Sequence, residues 1–564
     1  MEPLSIFSYA FRKYPLFRTL IWLLLVAIVF GSAAIINMHF VSEPLLKSVN
    51  PSMGSPGDVL VLKGDHFGST RNAGFVEIGG ERLTASSYLS WADDEIKLVL
   101  PSNVQEGLVI VDVSGKRSNP GVFTNETTVP VTVRSDQISK IPVIIGLSHG
   151  TAATGQKISI TGANFGNIRG DSCVFFKTSR SSSLPSDSNL SLNTADMLPA
   201  NQDDYDYEFW SDTEISVRVP DGAVSGNVTV KTPEGLSHPQ PITIANRGKK
   251  TFSNGRTYLV QVSADISNVK AASNSSLTLH IPRPNVLSSQ PAVEMTECTP
   301  QPLLDNYRNT VIHQVEFREL KDNKKQFTQN FMVQVYEISC DINKDQVRPF
   351  SDKDRPLYTG NIKANPYIPS DSDAVKELCL SAVKKESNPY VQARLVYDYL
   401  IENFTLTGVA SSQEFSLETV LQQKQADAYD LTVLFTAMLR SLGVPAKMMS
   451  GILVDARLKT RSHWWSEFYI ENFGWFPADP GLGAGMEYEA FHPVENKKEY
   501  YFGNLDPQHI VFSTDWEILK PYMVNNKIVY RPRSYALQNI WEEATSGTDS
   551  YSSFWNVPVV LGLY

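Results

Sequence analysis

The stretch ADAYDLTVLFTAMLRSLGVPAKMMSG, from Ala426 to Gly451, predicts a buried helix running into a strand. Asp427 stands where an N-cap belongs, because its carboxylate can accept from backbone N–H groups that the first helical turn leaves free. Leu431, Leu434, Phe435, Met438, Leu439 and Leu442 recur at three and four spacing and make one apolar stripe. Gly443 is placed to end the helix and Pro445 prevents its resumption. The strands KMMSGILV, HWWSEFYI and WFPAD follow, the last two joined by a tight turn through Asn472 and Gly474. That hairpin brings His463 and Asp479 towards one end of a sheet, with the register left open by sequence. Upstream, Ala374 to Lys385 and Tyr390 to Asn403 carry the same helical spacing, so residues 365–515 read as one α+β domain.

Moving towards the N-terminus, the stretch PFSDKDRPLYTGNIKANPYIPSDSD is aperiodic and rich in Pro, Asp and Ser, and residues 346–364 read as a linker. Before them, YLVQVSADI, SLTLHIP, TVIHQVEF and FMVQVYEI alternate with period two and predict a supporting β-sandwich over 250–345. Further up, the chain repeats itself. GDHFG (Gly64 to Gly68) is echoed by GANFG (Gly162 to Gly166), and WADDEIKLVLP (Trp91 to Pro101) by WSDTEISVRVP (Trp210 to Pro220). Short alternating strands with Gly, Pro, Asn and Asp punctuation predict two copies of a small β-sandwich, at 45–135 and 140–246. The second copy carries a Ser-rich and then acidic insertion, and its Asp203, Asp204 and Asp206 read as a solvated loop without a metal.

Residues Leu20 to Ile36 are almost unbroken apolar, and Arg12, Lys13 and Arg18 precede them. The run predicts a transmembrane signal-anchor over 19–40 with residues 1–18 in the cytoplasm. A cleaved signal peptide is the alternative, given the small residues Ser32, Ala33 and Ala34. Residues 516–564 are left as a C-terminal extension. The expected fold class is therefore multidomain, all-β plus α+β: a transmembrane helix, two immunoglobulin-like sandwiches, a further sandwich and an α+β domain.

The chain has 564 residues, enough for several cores, and 50 basic against 60 acidic residues give a net charge of −10, which does not invite nucleic acid. Cys173, Cys298, Cys340 and Cys379 lack the close spacing of a zinc site. In an oxidising compartment Cys298 and Cys340 are the expected bridge, since both fall in one predicted β domain. Cys379, on a predicted helix, reads as a structural thiol. His313, His492 and His509 show no ligand spacing and read as structural. No cofactor is expected.

The repeated G-x-x-F-G turn and D-x-E-I strand resemble the IPT/TIG family of immunoglobulin-like domains, which implies spacer or adhesive modules without catalytic residues. The sequence from Ala426, with HWWSEFYIENFGWFPADP and YFGNLDPQHIVFS after it, resembles the transglutaminase-like superfamily of papain-type cysteine enzymes. In that chemistry a helix N-terminus lowers the pKa of a thiol, an imidazole completes the ion pair and a carboxylate orients the ring. The resemblance places His463 and Asp479 as the histidine and the acid. Where the family reads G-x-C-x-D, this chain reads Ala426-Asp427-Ala428-Tyr429-Asp430, so alanine stands at the nucleophile position.

A methyl group cannot form a thioester, and losing a triad nucleophile costs on the order of a million-fold in turnover. Trp464, Trp465 and Trp475 are candidates to line a peptide groove, with the apolar core as the competing place for them. Tyr429 either fills the vacated space or meets a ligand. The expectation is a membrane-anchored, single-pass protein with its bulk in the periplasm or at the cell surface of a bacterial envelope. It would be a pseudoenzyme acting in protein or peptide binding or in envelope scaffolding, its oligomeric state left open. Two alternatives stand beside it: an active protease, amidase or transglutaminase using another nucleophile, or with Ala428 replacing a native cysteine; and an adhesin or spacer.

Overall fold

The computed structural model describes residues 43–101, 104–125, 140–180, 197–272, 275–320, 324–408, 415–515, 528–530, 540–545 and 547–564, with five isolated positions between 13 and 26. The expected transmembrane segment lies almost wholly outside these residues. Among the described residues no helix is long and apolar enough to cross a membrane.

The first sandwich has one sheet in the order Leu45–Asn50, Val59–Asp65, Glu95–Val99, Tyr88–Trp91, and a second in the order Met53–Gly54, Gly121–Asn125, Gly107–Val113, Phe75–Ile78, Glu81–Arg82. Alternate residues such as Leu60, Leu62, Ile96, Leu98, Val109 and Val111 fill its core. The second sandwich repeats this order, with Val143–Leu147, Lys157–Ala163, Glu214–Arg218 and Tyr207–Trp210 in one sheet. Its other sheet runs Thr151–Ala152, Gln240–Ile244, Gly226–Thr232, Cys173–Lys177, Met197–Pro199.

The repeated motif is a packing device. A Cβ on Gly64 would lie 2.0 Å from the Leu45 carbonyl oxygen and 2.3 Å from the Phe67 ring, and one on Gly162 would lie 2.0 Å from that of Val143 and 2.3 Å from Phe165. Glycine is required so that the phenylalanine three residues on can fold back over the backbone. Trp91 and Trp210 donate Nε1 to the carbonyls of Phe67 and Phe165 (2.8 and 3.2 Å). Asp93 and Asp212 accept from the left-handed Gly68 and Gly166 (2.9 and 3.0 Å). Gly162→Ala is therefore expected to cost about 1–3 kcal/mol by overpacking, read as a lowered midpoint of urea unfolding.

In the supporting sandwich, Gly248–Ala271 and Lys325–Ile342 pair antiparallel from Gly248↔Ile342 to Ile266↔Lys325. The described parts of the expected C-terminal extension are mostly paired strands. Trp541–Ala544 pairs with Ser276–Pro282, while Thr548–Trp555 and Val559–Leu563 pair with Gly248–Ala271, so the sandwich is completed by strands far along the chain. The expected Cys298–Cys340 bridge does not form, and all four cysteines are free. Cys298 lies opposite Gln329 while Cys340 sits further along the same long strand, opposite Lys250. At about 3.3 Å per residue the two rungs are about 36 Å apart, far beyond the reach of a disulfide.

The 346–364 stretch also proves more ordered than a linker. It holds the helix Pro356–Asn361, whose Leu357 and Tyr358 pack with Phe350, Tyr469 and Trp475. The α+β domain follows, with helices Asp373–Val383 and Pro389–Asn403 packed on Ala428–Ser441, which lies against an antiparallel sheet ordered Gly474–Ala478, Thr460–Ile470, Ala446–Val454, His509–Thr514. Every residue from Ala428 to Arg440 is buried, so the predicted stripe is the centre of a helix enclosed on all sides.

Candidate functional site

Asp427 caps the Ala428–Ser441 helix. Its carboxylate accepts from the Asp430 N–H (2.9 Å), and the Asp430 carboxylate accepts from the Asp427 N–H (3.1 Å), a reciprocal capping box. Asp427→Ala is expected to cost about 1–2 kcal/mol, measurable by urea unfolding. Ala428 is the first helical residue. Thr432 Oγ1 bridges the carbonyls of Ala428 (2.7 Å) and Trp464 (3.1 Å), tying this helix start to the strand that carries His463.

The Thr460–Ile470 strand pairs with Gly474–Ala478 through Ser466↔Ala478, and Asp479 follows directly as the cap of the short helix Pro480–Gly483. Its Oδ1 accepts from the Leu482 N–H (2.8 Å), leaving Oδ2 to meet His463 Nε2 at 2.6 Å. A Cβ on Gly481 would stand 2.8 Å from the Ala428 methyl and 3.4 Å from Asp479 Oδ1. Only glycine lets the acid-bearing turn close against the helix start. Ala428, His463 and Asp479 thus converge, and all three are buried.

The structure adds a residue to this group. His509, read from sequence as merely structural, sits with Nε2 3.3 Å from Asp479 Oδ2 and Nδ1 2.9 Å from Asp506 Oδ1. Tyr501 donates to the other Asp506 oxygen (2.9 Å). Asp506 and His509 are three residues apart in the quoted YFGNLDPQHIVFS segment, which was the available signal.

Burial works against charge on His509, but Asp506 and Asp479 overcome it and push the imidazole up to about 10. For Asp479, burial is outweighed by His463 and His509, which hold the carboxyl below the usual carboxylate range. For His463 burial wins over the attraction of Asp479 and its pKa falls. At neutral pH the cluster is a neutral His463, an ionised Asp479 and a charged His509 shared with Asp506.

The ligand atoms of His463, Asp479 and His509 lie within 4.8 Å of one another. A metal held by bonds of about 2.1 Å keeps its ligand atoms roughly 3 Å or more apart, so the 2.6 Å His463–Asp479 contact is a hydrogen bond rather than two edges of a coordination sphere.

The aromatic candidates take other places. Trp464 meets Tyr429 edge-on (5.3 Å between centroids), and both are enclosed in the core, so Tyr429 does not occupy a vacated site. Trp465 is buried against the His463 and His509 rings (6.0 and 5.0 Å). Trp475 lies apart from the histidines: its Nε1 donates to Asp204 (3.0 Å) and Lys447 covers its ring at 3.9 Å. The acidic insertion is accordingly not a solvated loop throughout. Asp204 holds Trp475, and Asp206 is buried, accepting from the Asn201 N–H (2.8 Å), with burial driving its carboxyl well above the ordinary range. Cys379 is buried, donates to the Met438 carbonyl (3.4 Å) and is pushed up to about 11 by burial, the opposite of an activated thiol.

Comparison with known proteins agrees with this layout. The transglutaminase-like superfamily model matches residues 376–480, and the IPT/TIG domain model matches 44–137. A cyclomaltodextrin glucanotransferase of Paenibacillus macerans is 33% identical over 128 residues, 22% of this chain and 17% of that enzyme. An uncharacterised Haemophilus influenzae protein is 26% identical over 181 residues, 27% of this chain and 49% of that protein. This chain thus spans under a fifth of the first relative and about half of the second. Among solved structures, a Cytophaga hutchinsonii protein proposed to be a cysteine protease aligns at 13% identity and TM-score 0.36, over 56% of this chain and 93% of its own. The chain therefore contains a transglutaminase-like domain and an IPT/TIG domain.

Proposed function

We propose that this protein is a pseudoenzyme whose transglutaminase-like domain binds a protein or peptide without acyl transfer. One observation carries the reading: at the N-terminus of a capped helix, packed against the turn whose Asp479 is hydrogen-bonded to His463, stands the methyl of Ala428. The second sandwich is taken as another IPT/TIG module because it repeats the strand order and motif contacts of the first. Residues 19–40 are taken as a membrane anchor because an apolar run follows Arg12, Lys13 and Arg18. The sandwiches then act as spacers at the outer side of that membrane.

The test is Ala428→Cys in the full chain, alone and with His463→Ala, followed by peptide hydrolysis and iodoacetamide labelling. The unsubstituted chain is expected to be inert. Ala428→Cys is expected to react with iodoacetamide near neutral pH, and His463→Ala to slow that reaction at least tenfold. Hydrolysis by the unsubstituted chain would refute the pseudoenzyme reading. A thiol at 428 that ignores His463 would favour a spacer in which the site geometry has no use.

A further inference from the structure

A second site lies away from the histidine cluster. A cavity of about 810 Å³ is walled by the 198–205 segment and Asp221 of the second sandwich, by 283–289 and 306–309 of the supporting sandwich, and by Lys447, Glu467, Trp475 and Ser513 to Asp515 of the α+β domain. Its size is within the roughly 300–1,000 Å³ of small-molecule sites. Three parts of the chain, far apart in sequence, supply the walls.

The chemistry of those walls is specific. Most of the charges there are already matched: Asp221 holds Lys250, Asp204 and Glu467 hold Lys447, and Asp515 holds Arg440. Of the other charges on the wall, Arg283 donates to the Asp305 carbonyl (3.0 Å) and Arg308 is offset by the one remaining carboxylate, Asp203, so the surplus is a single positive charge. What remains unengaged is uncharged or nearly balanced. Among the described residues the side chains of Asn285 and Asn306 make no hydrogen bond, Asp203 uses only its backbone N–H, and Arg308 only lies over the Tyr307 ring. The Ser513 hydroxyl on the same wall is buried without a hydrogen-bond partner. Amides offer paired donors and acceptors in one plane, and a carboxylate offers two acceptors. Tyr205, 43% exposed and held at a φ of 56°, adds a ring at the cavity wall.

We infer that this cavity binds a neutral oligosaccharide. Adjacent hydroxyls pair with planar amide and carboxylate groups, and the apolar face of a sugar ring packs on Tyr205. A peptide would call for a deep apolar pocket to anchor a side chain, whereas most side chains of this wall are polar and Asn is the commonest among them.

The experiment is saturation-transfer NMR and calorimetry of the full chain with maltopentaose, cellopentaose and penta-N-acetylchitopentaose, with penta-alanine as the peptide comparison. At least one sugar is expected to bind with a Kd of about 1 mM or tighter. Tyr205→Ala and Asn306→Ala are expected to weaken that binding tenfold or more with an unchanged melting temperature, and Ala428→Cys to leave it unaffected. Absence of binding by all three sugars, binding indifferent to Tyr205→Ala and Asn306→Ala, or tighter binding of penta-alanine would overturn the inference. Because the cavity shares no residue with the histidine cluster, either proposal can fail while the other stands.

Discussion

Lys250→Met is expected to destabilise the chain by about 3–5 kcal/mol, the cost of leaving one member of a buried ion pair alone. Lys250 is buried near the start of the Gly248–Ala271 strand, and its Nζ lies 2.7 and 2.8 Å from the two Asp221 oxygens and also donates to the Trp475 carbonyl. Burial pushes the Asp221 carboxyl up even with the ammonium beside it. Without the ammonium, the Trp475 N–H at 3.2 Å is the one hydrogen-bond donor left to that carboxylate among the described residues. Urea unfolding at pH 7 reads the loss directly. Lys250→Met combined with Asp221→Leu is expected to recover most of it, because an apolar pair in place of a buried ion pair is often neutral. If the double variant is no better than the single one, the pair is not the source of the loss.

Stability is also expected to fall as pH rises from about 6.5 to about 10, through His509. Its folded-state pKa is raised to about 10 by Asp506 and Asp479, against an ordinary imidazole value near 6.5. A raised value means that the folded state holds the proton more tightly. The stabilisation is therefore complete below the ordinary value and is lost as pH climbs through the folded one. At about 1.4 kcal/mol per pH unit, the loss across that window is on the order of 5 kcal/mol. Asp479 gives the acid limb: its folded value is depressed, so its contribution holds above about pH 4 and is lost as pH falls through the folded value. The two limbs describe one contact and are not additive. Urea unfolding at pH 6, 8 and 10 is expected to show the slope in the natural chain and to lose most of it in His509→Gln. An equal slope in both would rule His509 out as its source.

The parts of this molecule legible in sequence are those whose cause is local. The apolar stripe from Leu431 to Leu442, the cap at Asp427 and the turn at Asn472 each depend on neighbours within a few residues. The motif G-x-x-F-G is legible because a glycine and the phenylalanine three positions on touch each other. His463 and Asp479 could be paired because a tight hairpin joins their strands.

What stayed hidden depends on distant partners. Trp475 stood between a groove and the core until the structure placed it in the core with Asp204, 271 residues earlier, on its indole nitrogen. His509 needed the register of Ala446–Val454 with His509–Thr514, which sets the imidazole beside Asp479. The expected Cys298–Cys340 bridge failed because membership of one sandwich says nothing about position along its strands.

Completion of the supporting sandwich by residues 541–563 carries a consequence for how the chain is made. The Ser276–Pro282 strand, paired with Trp541–Ala544 through Leu277↔Ala544, emerges from the ribosome with that edge unfilled. At about 5–20 residues per second, the intervening chain takes on the order of tens of seconds to appear. Throughout that interval a row of unpaired backbone groups, flanked by apolar side chains, is open to strands of other molecules. The newborn chain thus has a vulnerable period set by translation speed, in which a holding chaperone would do most to raise its yield, and which a faster ribosome would shorten.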